Sequence, residues 1–369
     1  MGSVLLYLGV AFLSVMFLGI CQRAYRKDRV ASVSLFIVGM VPIIVLYGIR
    51  YGIGADYYAY KTMYELLHKA SFSEYWQYHI LGYGDYYVEL GYYVLNKISF
   101  HYVHLQFMLI LLMSSILYIV LHKYEERMSE GLAVFIFFST QFIYAMNGTR
   151  FIIAALFLLW AYTKINSGKK LEFVALIACA ALFHKSALIC IVFYVLKEFS
   201  GTKWNRLRNF SIMVGILFLP VIFQFSMEIM RRIPIFSRYF SAAIYAPASS
   251  MSEMGVTWLL HIVPVLLPVV ILLAGKKHLP DTECRIFFRI CCMEIPLRML
   301  AFYNPWYGRL ARYAQIGQCV FIPYYLGTIK SQRTKILLTF YYVMWYIFYF
   351  IYYILIVDEG HSIPYHMIF

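Results

Sequence analysis

Seven residues scattered through the chain are of types that bind anions or move protons: Arg50, Asp56, Glu89, Arg150, His184, Arg309 and Arg312. Arginine presents a planar fork of N–H donors that meets phosphate or diphosphate oxygens in pairs. Histidine titrates near neutral pH and can act as a general base; a carboxylate can do the same, or position a hydroxyl. Such residues are costly in or beside apolar sequence, and they persist mainly where they line a cavity and take part in function.

Spacing sharpens some of these candidates. In Arg50-Tyr51-Gly52-Ile53-Gly54-Ala55-Asp56-Tyr57 the two glycines permit a tight turn that would bring Arg50 and Asp56 together. The plainer alternative is that Arg50 snorkels to the interface and Asp56 caps a helix starting at Tyr57. Asn147 and Arg150 lie three apart, so they share a helix face or a cap, with Arg150 as an anion ligand or an interfacial anchor. Asn147-Gly148-Thr149 also matches a glycosylation sequon, a frequent chance match. His184, in Phe183-His184-Lys185-Ser186, is either a general base at the tip of a broken helix pair or a polar turn residue. Arg309 and Arg312, one helical turn apart after Asn304-Pro305-Trp306-Tyr307-Gly308, repel each other unless an anion sits beside them. Glu294 and Arg298, spaced i, i+4 in apolar sequence, read as a structural intramembrane ion pair.

The elements that hold these residues must be membrane helices. With 62% hydrophobic and 14% charged residues and a mean hydropathy of +0.70, too little polar surface exists to coat a soluble fold. The formal charge of +14 is dispersed as short clusters between apolar runs, which excludes a nucleic-acid-binding face. Spans are predicted at 3–21, 30–49, 103–121, 210–226, 256–274, 286–303, 310–328 and 337–357. Two stretches break: 131–165 reads as two short helices meeting at Asn147–Arg150, and 172–196 as two half-length helices or a re-entrant hairpin around His184.

Lysine and arginine counts then side the loops. The segments 22–29, 122–130, 164–171, 197–209, 275–285 and 329–335 carry the basic clusters and are placed inside. Both termini then lie outside, as do 50–102 and 227–255. All seven candidate residues fall at outward ends. The expected fold is all-α: one polytopic transmembrane domain over 1–369, about twelve transmembrane or half-length helices, and an outward-facing polar cavity. The first outer segment holds 13 tyrosines and Trp76. Helical periodicity at 57–69 and 86–98, and a capping box from Ser71 to Glu74, predict amphipathic helices on the membrane surface. The tyrosines could stack on sugar rings, although aromatic residues collect at membrane interfaces in any case. The seven cysteines lie in or beside apolar runs without metal-ligand spacing, so they read as membrane hydrophobes. No Walker, Rossmann, Ser/His/Asp or HExxH pattern occurs, so no cofactor is expected.

Together these segments resemble the EpsG family of bacterial exopolysaccharide proteins, related to Wzy-type polymerases. The likeness rests on Arg50-x-Gly-x-Gly-x-Asp56-Tyr57, Glu89-x-Gly91-Tyr92-x-x-Leu95-Asn96, Met146-Asn147-Gly148-x-Arg150 and Phe183-His184-Lys185-Ser186-Ala187-Leu188. It continues through Arg309-x-x-Arg312-Tyr313 to a closing Ile363-Pro364-Tyr365. The motifs follow the family order over nearly the whole chain. A departure is Phe151, where the family often has glutamine.

The resemblance implies a glycosyltransferase of a bacterial plasma or inner membrane, and the arginines, without a compact carboxylate cluster to hold magnesium or manganese, predict that it is metal-independent. It would join undecaprenyl-diphosphate-linked oligosaccharides at the outer face, in exopolysaccharide or capsule synthesis. A flippase and a chain-length regulator would be its protein partners, with membrane lipid around it and no nucleic acid. An acceptor hydroxyl attacks the anomeric carbon of the growing chain, and the lipid diphosphate leaves. Arg150, Arg309 and Arg312, with Arg50, would hold the diphosphate. His184 would be the base, with Glu89 or Asp56 as alternative base or sugar-positioning carboxylate. Asn147, Tyr57 and Tyr313 would complete the site. The competing expectations are a flippase for lipid-linked saccharide and a ligase of the O-antigen type.

Overall fold

A computed structural model describes residues 2–24, 29–81, 88–200, 281–301 and 306–368, together with positions 229, 232, 260, 261 and 279. The predicted span 210–226, most of 256–274 and nearly all of 227–255 lie outside the described residues. The protein is all-helical (81% helix), with no strand among the described residues.

Four helices are long and apolar enough to cross a membrane. They are α1 (Gly2–Ala24), α2 (Arg29–Gly48), α6 (Tyr102–His122) and the last helix, Gln332–Leu355. Between α2 and α6 lie three short helices: α3 (Tyr57–Lys69), α4 (Phe72–Leu81) and α5 (Leu90–Ile98). α3 buries Tyr57, Tyr60, Tyr64 and Leu67, the i, i+3, i+4 stripe of an amphipathic helix. The capping box at the start of α4 forms as predicted. The Ser71 N–H donates to Glu74 Oε2 at 2.7 Å, and the Glu74 N–H to Ser71 Oγ at 3.2 Å. Those backbone and hydroxyl donors hold the Glu74 carboxyl below the usual carboxylate range.

The stretch 131–165 divides as its sequence predicts. α7 (Glu130–Phe137), a π-helical turn (Phe138–Phe142) and α8 (Ile143–Asn147) run up to Gly148, where the backbone leaves helical angles. α9 (Thr149–Ile165) then starts with Arg150 in its first turn. The stretch after it divides too: α10 (Lys170–Ala181) ends in a turn through His184, and a 3-10 helix follows at Lys185–Ser200. The remaining helices are α11 (Thr282–Ala301), α12 (Trp306–Gln315), α13 (Gln318–Gly327) and α14 (Gln332–Leu355). The chain forms two compact units, residues 1–191 with 322–369, and residues 192–321.

In the first unit α1 packs on α2 and α7, α2 on α6, α6 on α9, and α9 on α10. Contacts sort its polar residues to two ends. At one end the C-terminal segment straps the helix ends together. The Tyr365 N–H donates to Ser3 Oγ at 2.9 Å and its hydroxyl to the Leu46 carbonyl at 2.6 Å. Tyr7 donates to the Ser362 carbonyl at 2.9 Å, and Arg50 forms a β-bridge with Met367. At the other end the Gln22 amide donates to the carbonyls of Glu125 (2.9 Å) and Met128 (2.7 Å). Lys123 donates to the Thr163 carbonyl at 3.0 Å, and Lys164 pairs with Glu172 at 2.6 Å. Thus segments 122–130 and 164–171, read as inner loops, share an end with the tail of α1. The two chain ends and the turn after α2, read as outer, meet at the opposite end. The six cysteines with described side chains are free thiols.

Candidate functional site

The turn after α2 is pinned onto the α8–α9 break. Gly54 has φ +106°, and a Cβ there would come within 2.6 Å of the Met146 carbonyl oxygen, so only glycine allows this approach. One step on, the Asp56 N–H donates to Asn147 Oδ1 at 2.8 Å. Asp56 stands at the N-cap of α3 without a side-chain cap hydrogen bond, and is exposed. Arg50 does not pair with it. Its guanidinium is buried over the Tyr47 ring, 3.7 Å from the centroid, and donates to the Tyr47 carbonyl at 2.8 Å. The glycine turn therefore forms as read, but it delivers a backbone N–H to Asn147 instead of joining Arg50 to Asp56. Tyr57 is buried beside it, its carbonyl accepting from the Tyr102 hydroxyl at 3.4 Å.

The close approach of α5 to the α10 turn brings the charged pair together. The Gly91 N–H donates to the Leu182 carbonyl at 2.8 Å, and a Cβ on Gly91 would come within 2.8 Å of that oxygen. Glu89, just before α5, thereby meets two partners from distant sequence. Its Oε2 lies 2.5 Å from Arg150 Nη1, and its Oε1 accepts the Lys185 N–H at 3.2 Å. The Arg150 guanidinium also lies 5.8 Å from the ring centroid of Tyr60 and 5.7 Å from that of Tyr92. Burial raises both phenols above the usual tyrosine range, so they present neutral rings at pH 7. Arg150 Nε carries no hydrogen-bond partner, and the pair remains partly open, with side-chain exposures of 20% for Arg150 and 11% for Glu89.

His184 lies next to Lys185. Its Nδ1 contacts Ser186 Oγ at 2.7 Å, and its ring meets the edge of Phe151, with centroids 5.4 Å apart. Phe151, the departure from the family pattern, thus packs on the histidine, while Arg150 takes its partner from Glu89. The tertiary fold joins Glu89, Asn147, Arg150 and His184 at one end of the first unit. Sequence reasoning missed Tyr60 and Tyr92 as the rings beside Arg150. Their only signal was the inward stripe of α3 and α5.

Arg309 and Arg312 belong to the second unit, on α12, which packs against α11. One helical turn separates them, yet Arg309 is exposed and Arg312 is buried, as is Tyr313. In this unit Glu294 is fully buried and at the centre of a polar cluster. Its Oε1 lies 2.6 Å from His261 Nδ1 and 3.5 Å from Arg298 Nε, and its Oε2 accepts from Gln318 at 2.7 Å. Gln315 Nε2 reaches the same His261 nitrogen at 3.2 Å. The predicted Glu294–Arg298 pair is therefore present. His261 was missed, although a histidine within an apolar stretch is itself a signal.

One group of metal-ligand type occurs among the described residues: His122, Glu125 and Glu130 offer ligand atoms within 4.8 Å of one another. It lies at the end opposite Glu89 and Arg150.

The EpsG family model matches residues 33–367, nearly the whole chain. No curated protein and no solved structure matches. The chain belongs to the EpsG family, a family of Wzy-like polysaccharide polymerases, and has a polymerase-like role in exopolysaccharide synthesis at a membrane.

Proposed function

We propose that this EpsG-family protein joins undecaprenyl-diphosphate-linked oligosaccharides by glycosyl transfer at the outer face of a bacterial plasma membrane. The observation that carries the proposal is the Arg150–Glu89 pair. A partly open guanidinium lies against two neutral aromatic rings and a carboxylate, and that carboxylate also accepts the N–H of Lys185, the residue after His184. The acceptor oxygen attacks the anomeric carbon of the growing chain, the bond to the lipid diphosphate breaks, and the acceptor proton passes to His184. Ser186 Oγ contacts Nδ1 of that ring at 2.7 Å, a neighbour that would orient the imidazole for this role. Glu89 orients Arg150, and Arg150 meets the charge developing on the leaving diphosphate. Arg50, Asp56, Asn147 and Tyr57 would shape the site; Arg309 and Arg312, as diphosphate donors, and Tyr313 are proposed on their sequence positions alone. About twelve full or half-length helices would carry it. A phosphate-binding guanidinium needs no bridging cation, so turnover is assigned as metal-independent.

Purified protein in detergent, given lipid-linked repeat in the presence of EDTA, should yield longer glycans. A flippase makes none without a sealed bilayer, so product left unextended both in EDTA and with added divalent ions would refute polymerisation. Activity restored only by a divalent ion would refute metal independence.

Sidedness has its own measurement. In intact protoplasts an impermeant thiol reagent should label Ser73→Cys on α4 and leave Glu126→Cys unlabelled until the membrane is opened. The reverse pattern would place the Glu89–Arg150 end inside.

A further inference from the structure

Beyond the reacting groups, α4 carries a row of plates. Phe72 is 58% exposed and Trp76 49% exposed. Their planes lie within 22° with centroids 6.1 Å apart, and Trp76 continues onto His79 at 19° and 6.3 Å. Phe72, Trp76 and His79 are spaced i, i+4, i+7, so one helix face presents all three. The adjoining flank of α4 is fixed, with the Tyr75 ring against both Phe72 and His79. Tyr75 is buried, stacks on Tyr93 at 4.0 Å, and donates to the Val88 carbonyl at 2.8 Å. The plates therefore stand on an anchored element, which lowers the ordering cost of any ligand laid on them.

The row ends at the charged centre. Lys185 Nζ lies 3.2 Å from His79 Nε2, and the Lys185 N–H is bonded to Glu89, the partner of Arg150. A row of near-parallel rings continuing into ammonium, carboxylate and guanidinium groups matches a sugar chain. One face of a pyranose is a sheet of C–H bonds with slight positive charge, which settles on the negative face of an aromatic ring. Its hydroxyls project from the rim toward donors and acceptors. An acyl chain would use the rings but has no use for the polar groups that continue them.

Resting on the polymerase reading, we propose that Phe72, Trp76 and His79 form a glycan subsite of that same centre, along which sugar rings of the saccharide substrate lie on their way to Glu89 and Arg150.

Protein in nanodiscs provides the test, with oligosaccharides from partial hydrolysis of the polymer secreted by cells carrying this protein. Their binding, followed by saturation-transfer NMR, should weaken about tenfold in Trp76→Ala and recover most of that loss in Trp76→Phe, as one stacking contact predicts. In the polymer assay, KM for lipid-linked repeat should rise by a similar factor while kcat holds within about twofold. Brominated lipid should quench Trp76 weakly, and added oligosaccharide should protect it. Unchanged saccharide binding in Trp76→Ala, or strong lipid quenching that saccharide leaves unaltered, would assign these rings to the membrane belt and overturn the subsite. Polymer formation without dependence on Trp76 refutes the subsite alone. Binding that depends on Trp76 in a protein that makes no polymer refutes the polymerase reading and leaves the subsite standing.

Discussion

Replacing Arg150 with alanine should lower turnover by about 10²–10³, the cost of losing one preorganised donor to developing charge. The residue sits where water is partly excluded, over two neutral tyrosine rings and against Glu89. Arg150→Lys should recover only part of the loss. Lysine keeps the charge, but one ammonium cannot hold Glu89 and present a second, directed donor to a diphosphate as a guanidinium does. Glu89→Gln should cost less, because the amide preserves the contact and weakens only the alignment. The Arg150 and Glu89 effects should also be non-additive, since each residue positions the other. Among the other two arginines, buried Arg312 should lose more as alanine than exposed Arg309, which solvent screens. The measurement is polymer made per folded protein. Full rescue by lysine at Arg150, or alanine variants at all three arginines with near-normal turnover, would reduce these residues to interfacial anchors.

The second large effect concerns folding. Glu294→Ala should cost on the order of 3–5 kcal/mol of stability, the usual result of removing one partner from a buried ion pair. Glu294 is fully buried, and its loss strands the positive charge of Arg298 and leaves His261 and Gln318 without the acceptor they face. Thermal unfolding in detergent should then begin well below that of the parent. Removing both charges with Glu294→Leu and Arg298→Leu should regain more than half of the loss, because apolar replacement of a whole buried pair is often near neutral. A stable double variant that still makes polymer would assign the cluster to structure. Glu294→Ala with unchanged unfolding would instead mean that the ionic contacts contribute nothing net.

Much of this protein is determined by its sequence alone, because the bilayer imposes simple conditions. A helix must satisfy its own backbone polar groups in hydrocarbon. Long apolar runs therefore became α1, α2, α6 and α14, and interruptions at Asn147-Gly148 and His184-Lys185 became helix breaks at those positions. The Ser71–Glu74 capping box was legible because both partners lie within one helical turn. Local chemistry also marked Arg150, His184 and the glycine turn as candidates.

Pairing was beyond it. Glu89 and Arg150 are 61 positions apart, and nothing local distinguishes Glu89 from Asp56 as the partner of an arginine. The backbone approach at Gly91 decides for Glu89, while the turn at Gly54 presents the Asp56 N–H, not its carboxylate, to Asn147. Arg50 follows a similar rule. Its sequence setting suggests an ion pair, yet the C-terminal strap and the Tyr47 ring bury it away from Asp56. Sequence supplies the residue types and helix ends because these follow from short-range bonding and solvent. Which charges meet depends on backbone segments brought together across long loops, and only the tertiary structure specifies that.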